Sequence, residues 1–254
     1  MGTDERQRAG PRRTSERSSP VAVVGARHLK PVRFVSVNQR PDSRATRSAY
    51  DSVAADYARL LPDLGAETSL DRAMLAAFAD LVANARLGPV ADLGCGTGRI
   101  TAHLHSMGVD IFGIDLSQGM VDVARRTHPS LRFVVGSITA VGLADGVLGG
   151  VLAWYSTIHT SPKELPGVFD EFYRVLAPGG YLLVGFHVGD EDQPRTVTAY
   201  RDGFSVLAYD ATPERVAELA VEAGLAVHAQ LVREPQAGEK RRQASLIATR
   251  PSVL

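Results

Sequence analysis

Hydrophobic positions along this chain change rhythm twice, near residue 50 and near residue 89. From Tyr50 the run YDSVAADYARLL sets apolar and small residues at helical spacing, with Tyr50 and Tyr57 seven apart on one face. Pro62 and Gly65 break it. Residues 68–87 predict a second amphipathic helix: Leu70, Met74, Leu75, Phe78, Leu81 and Val82 recur at threes and fours, and Gly88-Pro89 stops it. Short apolar runs then alternate with helical ones. PVADLG, DIFGID, LRFVVGS, GGVLAWYST and YLLVGFHV read as strands. RITAHLHSMG and SQGMVDVARRTHP read as helices, the latter capped by Ser117, and a third lies within residues 162–180, ended by Pro178-Gly179-Gly180. Residues 189–212 read as irregular. A helix over 213–223 and two strands, AVHAQLVRE and QASLIATR, follow. Strands alternating with helices of this length predict an α/β fold: a doubly wound, mostly parallel sheet of seven strands, with cap helices N-terminal to it.

Composition sharpens this picture at the N-terminus. The 28 basic and 28 acidic residues balance, which gives no footprint for a nucleic-acid partner. The balance hides an asymmetry, because residues 1–47 carry eleven Arg or Lys against four acids. We therefore divide the chain into a basic leader, residues 1–45, expected to be disordered, and a domain over 46–254. A basic arm for an acidic partner, or a targeting peptide, is the functional alternative for the leader. No apolar run reaches the roughly 18 residues of a membrane span, and a soluble cytoplasmic protein is expected. The lone cysteine, Cys95, excludes an intrachain disulfide. The seven histidines show no ligand spacing, so no metal site is expected.

The most informative element is VADLGCGTGR, residues 90–99. Gly94, Gly96 and Gly98 fall where the first strand turns into a helix. Glycine there permits positive φ and lets a ligand approach the backbone. Asp115 ends the second strand, 21 residues beyond Gly94, where a carboxylate can accept both hydroxyls of a ribose. A tight turn beside an exposed acid is the plain alternative, but strand, turn, helix, strand and acid are all in register. A nicotinamide dinucleotide is the serious competitor. Its fingerprint is G-x-G-x-x-G, whereas this chain reads G-x-G-x-G, with Asp92 two residues before the first glycine. An acid beside the turn suits a ligand that carries an ammonium group.

VADLGCGTG and FGIDLS together resemble the first two motifs of class I S-adenosylmethionine-dependent methyltransferases. FVVGSI is similar to the family's adenine-contacting segment, LADGVLGGVLAWYSTIHT to its fourth strand, RVLAPGGYLLVGF to the entry of its fifth, and YDSVAADY to the N-terminal helix of small-molecule members. The resemblance spans about residues 48–250. It implies a Rossmann-like methyltransferase fold, S-adenosylmethionine as cofactor and a small-molecule substrate. It also implies roles. The Gly94 backbone would meet the methionine amino group, with Asp92 supporting the loop and Gly96 beside it. Asp115 would bind the ribose, Leu116 and Met120 would lie on the adenine face, and Ser137 and Ile138 at its edge. Ala153 and Trp154 would close the methionine side, with Tyr50 and Tyr57 over the cofactor. Two positions depart from the family: Ser137 stands where an Asp is frequent, and Gly149-Gly150 replace an acid, which would loosen the fourth strand.

Methyl transfer from a sulfonium needs alignment above all, and a base only if the nucleophile must lose a proton. His159 and His187, at the ends of the fourth and fifth strand segments, are the candidate bases; each could instead only shape the pocket. Trp154 and Tyr155 are candidate pocket aromatics. Cys95 is expected to face the sheet rather than to react. The segment 188–210 is long for a connection and could serve as a lid. A nicotinamide oxidoreductase, or a non-catalytic cofactor-binding protein of the same fold, are the alternatives.

Overall fold

The computed structural model describes residues 41–190 and 194–252. The leader expectation, as far as residue 40, lies outside them. Helix α1 runs Pro41–Leu60, nine residues further N-terminal than the periodicity marked. Helix α2 (Ser69–Ala85) opens on a capping box, in which the Thr68 side chain accepts from the Asp71 N–H and Asp71 accepts from the Thr68 N–H. Arg86, in the left-handed region at φ 52°, closes it.

The alternating core follows: β1 (Val90–Leu93), α3 (Arg99–Ser106), β2 (Ile111–Asp115), α4 (Gln118–Thr127), β3 (Phe133–Val135), β4 (Leu148–Trp154), α5 (Leu165–Val175) and β5 (Leu176–His187). A small hairpin, β6 (Arg195–Val197) with β7 (Val206–Ala208), occupies part of the segment read as irregular. Then come α6 (Pro213–Glu222), β8 (Ala226–Arg233) and β9 (Gln243–Thr249). Seven strands form one sheet in the order β3-β2-β1-β4-β5-β9-β8. The first five are parallel, and β9 is antiparallel to both β5 and β8. The expected doubly wound, mostly parallel seven-stranded sheet is what the chain forms.

One face of the sheet is covered by α2 and α3. Leu75, Phe78 and Val82 pack with Ile100 and Leu104 onto Val90, Ile111, Leu152 and Leu183. Side chains alternate along a strand, so Leu152 and Trp154 point to that face and Ala153 to the other. Phe78 and Leu75 are fully buried, and truncating either to Ala would cost about 2–5 kcal/mol. The glycine pair in β4 coincides with a register shift against β5 between Leu148 and Gly150, yet its surroundings are tightly packed. A Cβ on Gly149 would sit 2.5 Å from the Gly88 carbonyl oxygen, and one on Gly150 would sit 2.8 Å from Val82. The pair lets α2 and the Gly88 turn close onto β4, so its role is tight packing.

The chain order reverses at β1, which lies between β2 and β4. Open α/β sheets bind ligands at the carboxyl ends of their strands beside such a reversal. Gly94 begins there.

Candidate active site

The turn after β1 is held from behind. The Gly94 and Cys95 N–H groups both donate to the Ile114 carbonyl, at 2.7 and 3.0 Å. Gly94 has φ 80°, and a Cβ on it would lie 2.2 Å from Cβ of Ser156, so no side chain fits. Gly96, at φ 55°, is the opposite case. Its Cβ position is open, with nothing nearer than the Tyr57 ring at 4.0 Å, so the backbone faces free space. Beneath the turn, buried Asp92 accepts from the Thr101 hydroxyl at 2.6 Å. Burial pushes its carboxyl up to about 7. Asp115 accepts from the Gly96 and Ser117 N–H groups, both at 2.8 Å. Burial raises it to about 6, although those same N–H groups pull it down. One oxygen bonds each N–H, so both keep a lone pair for a further donor.

Helix α1 roofs this end. Asp51 accepts from the Ser117 hydroxyl at 2.6 Å and from the Gly119 N–H at 2.9 Å, pinning α1 to the start of α4. Any Cβ on Gly119 would meet the Asp51 backbone at 3.0 Å, so the two helices touch main chain to main chain. Tyr50 and Tyr57 project from α1 into an aromatic group with Tyr200 and Phe204 from the segment around the β6–β7 hairpin, with centroids 4.8–6.4 Å apart.

Both candidate histidines are held in one tautomer. His159 Nδ1 lies 2.7 Å from the Leu207 carbonyl, which can only accept, so Nδ1 carries the proton. Its Nε2 then accepts from the Tyr50 hydroxyl at 2.7 Å. Burial lowers the His159 imidazole and lifts the Tyr50 phenol well above its ordinary value, so the proton stays on Tyr50. His187 Nδ1 lies 2.6 Å from Nη2 of Arg195, a pure donor, so Nδ1 accepts and Nε2 bears the hydrogen. Burial, then the Arg195 charge, brings this imidazole down to about 4. Near neutral pH His187 is therefore a hydrogen-bond donor toward the cavity, and the only basic nitrogen of His159 already holds Tyr50. Neither presents a free lone pair to deprotonate a substrate, which speaks against the base role expected for them.

These elements enclose a cavity of about 420 Å³. Tyr50, Tyr57, Gly94, Gly96, Asp115, Leu116, Met120, Ser137, Ile138, Trp154, His159 and His187 all line it. Two residues expected in the site are not in its wall. Ala153 is fully buried on the far face of β4, because strand alternation sends Trp154 and not its neighbour toward α2. Asp92 lies under the turn and can reach a ligand only through it. The Ser137 hydroxyl is shared with Thr139, accepting from its N–H at 3.2 Å and lying 2.8 Å from its Oγ1. Tyr155, at φ 55°, turns the chain out of β4 and rests 5.1 Å from the His187 ring.

The wall also holds residues that no local motif marked. Glu67 accepts from Trp154 Nε1 at 3.3 Å and pairs with Arg99. Asp71 and Glu239 clasp Arg233, and Arg195 and Arg241 share Asp210. These contacts join positions up to 162 residues apart, so periodicity could not reveal them. Among the described residues, no group of three His, Cys, Asp or Glu could hold a metal ion, and no helix is long and apolar enough to cross a membrane.

The fit to a nucleoside with an amino-acid tail is physical. The open backbone at Gly96, the Asp115 carboxylate and the Ser156 hydroxyl, buried without a partner among the described residues, all line the one cavity. A dinucleotide would need the third glycine one residue later. Residues 90–180 match the family model described as a methyltransferase domain. The chain is 40% identical over 95 residues to the demethylmenaquinone methyltransferase of Beutenbergia cavernae, covering 37% of this chain and 39% of that protein. It is 28% identical over 150 residues to the malonyl-[acyl-carrier protein] O-methyltransferase of Serratia marcescens, covering 59% and 55%. The chain thus spans about half or less of the length of these two relatives. Magnesium protoporphyrin IX methyltransferase from Synechocystis, solved with bound S-adenosylmethionine, shares the fold at a TM-score of 0.62 and 17% identity, over 85% of this chain and all of that one. Residues 90–180 thus resemble a methyltransferase domain, and the chain shares its fold with a methyltransferase solved with bound S-adenosylmethionine.

Proposed function

We propose that this chain transfers the methyl group of S-adenosylmethionine to a small molecule, acting mainly by alignment. The observation that carries the reading is the cavity itself. One end is made by Gly94, Gly96 and Asp115, and the other end by His159, His187 and the arginines beyond them. When bound, the cofactor supplies an electrophilic methyl whose sulfur leaves with the bonding electron pair. The residues do the rest. Asp115 accepts the ribose hydroxyls, and the Gly94 carbonyl meets the methionine ammonium. Leu116 and Met120 cover the adenine face, Ile138 with Ser137 borders its edge, and Trp154 limits the methionine side. Tyr50 and Tyr57, held by α1, exclude water above. His159 fixes Tyr50, and His187 offers its Nε2–H to the acceptor. Holding two reactants in line is worth up to about 7–11 kcal/mol, and an acceptor atom with no proton to lose, or one that releases it to water after the transfer, needs no base from the protein.

The reading includes a basic leader and a domain whose start moves from residue 46 to Pro41, where α1 begins, and a cytoplasmic location without a nucleic-acid partner. Balanced charge and the unpaired buried thiol of Cys95 support the location and the absence of that partner. Calorimetry tests the cofactor: S-adenosylhomocysteine should bind, and NAD should not at the same concentration. Isotope-labelled S-adenosylmethionine, incubated with pooled small molecules, should then yield a labelled product by mass spectrometry. With S-adenosylmethionine saturating at every pH, so that titration of Asp115 does not enter, turnover should show no His159-dependent limb near the free imidazole value of about 6.5. A limb at that pH, lost in His159→Ala, would falsify the alignment mechanism.

A further inference from the structure

Where the end of β5, the start of β9 and the β6 strand converge, one buried carboxylate holds two guanidinium groups. Asp210 is 8% exposed. Its two oxygens accept from Arg195 Nε at 2.7 Å and from Arg241 Nε at 2.6 Å. The backbone imposes this arrangement. His187 pairs with Gln243 across β5 and β9, which brings Arg241 beside the strand end. The Ala211 N–H donates to the His187 carbonyl at 3.0 Å, which sets Asp210 next to it. Gly189 makes the room, since a Cβ there would lie 2.8 Å from that of Asp210.

Both arginines are thus gripped at Nε, the inner corner of the guanidinium. Arg195 spends one more donor, Nη2, on His187. Its Nη1, and both Nη groups of Arg241, have no hydrogen-bond partner among the described residues, and both side chains line the cavity. Two positive groups share one negative one, so among the described residues one positive charge of this group is unmatched. Arg233, further along the wall, differs: all three of its nitrogens are engaged by Asp71, Glu239 and the Glu234 carbonyl. It has nothing to offer a ligand.

We propose that Arg195 and Arg241, splayed on Asp210 with His187 beside them, form the subsite that anchors an anionic group of the acceptor, a carboxylate or a phosphate. Paired guanidinium edges match the planar oxygens of such groups and bind them with charge-assisted hydrogen bonds. The His187 Nε2–H adds a donor that stays neutral. An oxyanion clamped in this way has its lone pairs occupied, so it serves as the handle, and the methyl goes to another atom of the same molecule. The inference rests on the methyl-transfer reading only in calling the bound anion an acceptor.

The test titrates the protein, loaded with S-adenosylhomocysteine, with three probes of one shape: benzoate, phenyl phosphate and neutral benzamide. The readout is the NMR signal of the His187 imidazole. Benzoate or phenyl phosphate should saturate at concentrations at least about tenfold below benzamide, and the better of the two identifies the headgroup. Arg241→Gln should weaken that anion by about tenfold to a hundredfold, while Arg241→Lys keeps part of the preference. Arg241 is more than a third exposed, so these variants should fold. Equal binding of benzamide and both anions overturns the proposal, as does an undiminished preference in Arg241→Gln. If S-adenosylhomocysteine fails to bind, the methyl-transfer reading falls instead, and the same titration on the unloaded protein still decides the anion site.

Discussion

The two ends of the cavity are built on different principles. The glycine end comes from 28 consecutive residues, Val90 to Ser117, in which strand, turn, helix, strand and acid follow one another. The arginine end is assembled from the segments around residues 187, 195, 210 and 241, which meet only after β9 inserts antiparallel beside β5. At the first end the ligand meets mostly backbone and one carboxylate. At the second it meets side chains whose positions depend on one another through Asp210. A backbone-built site tolerates little change at its glycines, whereas a side-chain-built site can change specificity by exchanging single residues. This suits a protein with a common cofactor and a private substrate.

The strongest way to break the first end is Gly94→Ala. The added carbon would lie 2.2 Å from Cβ of Ser156, at a φ that an L residue rarely adopts. S-adenosylhomocysteine affinity should fall more than a hundredfold, and the thermal midpoint should drop with it. Adding Ser156→Gly removes the clashing carbon and should restore part of both, which a simple folding defect elsewhere would not allow. Next comes Asp115. Its replacement by Ala should weaken the cofactor by about tenfold to a hundredfold, the worth of one charge-assisted contact. Its acidity adds a sign. Burial holds the carboxyl at about 6, so the charged acceptor is present above that pH and is lost as pH falls through it. Affinity should therefore decline between pH 7 and 5, steepening to about tenfold per unit below 6. Asp115→Asn should remove the component centred near 6, leaving only what Asp92, held at about 7 beneath the turn, contributes; a wild-type affinity flat across this range would contradict the assignment.

The same contrast explains what could be read in the amino-acid sequence. VADLGCGTG and the acid of FGIDLS were legible because a local chain geometry demands those residues at those spacings. Tyr50 and Tyr57 were legible as one helix face. Pro41 to Ala49 was not, since Arg and Ser there break the apolar rhythm; the helix is held instead by Asp51 on Ser117 and Gly119. Ala153 enters the expected site only through the family resemblance, and alternation along β4 turns it away. Gly149-Gly150 suggested slackness, but only the packed position of α2 reveals them as a tight contact. Arg195, Asp210 and Arg241 carry no mutual signal in sequence, because their proximity depends on strand order and register. The tautomers of His159 and His187 were equally hidden, for the groups that set them are the Leu207 carbonyl and a distant arginine.

A smaller effect is expected where the roof meets the second end. Tyr50→Phe keeps the ring in its aromatic cluster but leaves His159 Nε2 without a donor. An unsatisfied polar group of this kind costs roughly 1–3 kcal/mol, partly relieved here because His159 is only half-buried. Stability should fall by about 1 kcal/mol, and cofactor affinity should drop only a few-fold. Denaturant melts and calorimetry on the same variant measure both. A loss as large as that of Asp115→Ala would mean that the hydroxyl itself contacts the cofactor and is more than a latch for the roof.

The smallest effect should come from the chain before α1. Among the described residues the cavity wall begins at Ser43, and α1 is pinned by hydrogen bonds of Tyr50 and Asp51 and by the Tyr57 ring in its aromatic group. Residues 1–40 carry nine Arg or Lys against three acids, and the first twenty, rich in Ser, Pro and Gly, hold little of the apolar surface that offsets chain entropy. Removing them should shift the thermal midpoint by no more than about 1–2 °C, corresponding to a few tenths of a kcal/mol in a domain of this size. S-adenosylhomocysteine affinity should stay within about twofold, or roughly 0.4 kcal/mol. Removing residues 1–49 instead takes away the first half of α1, and should cost far more than the nine further residues suggest, because Tyr50 and Asp51 would then begin a frayed helix. If the shorter truncation is as damaging as the longer one, the leader is part of the domain and a boundary at the start of α1 is wrong.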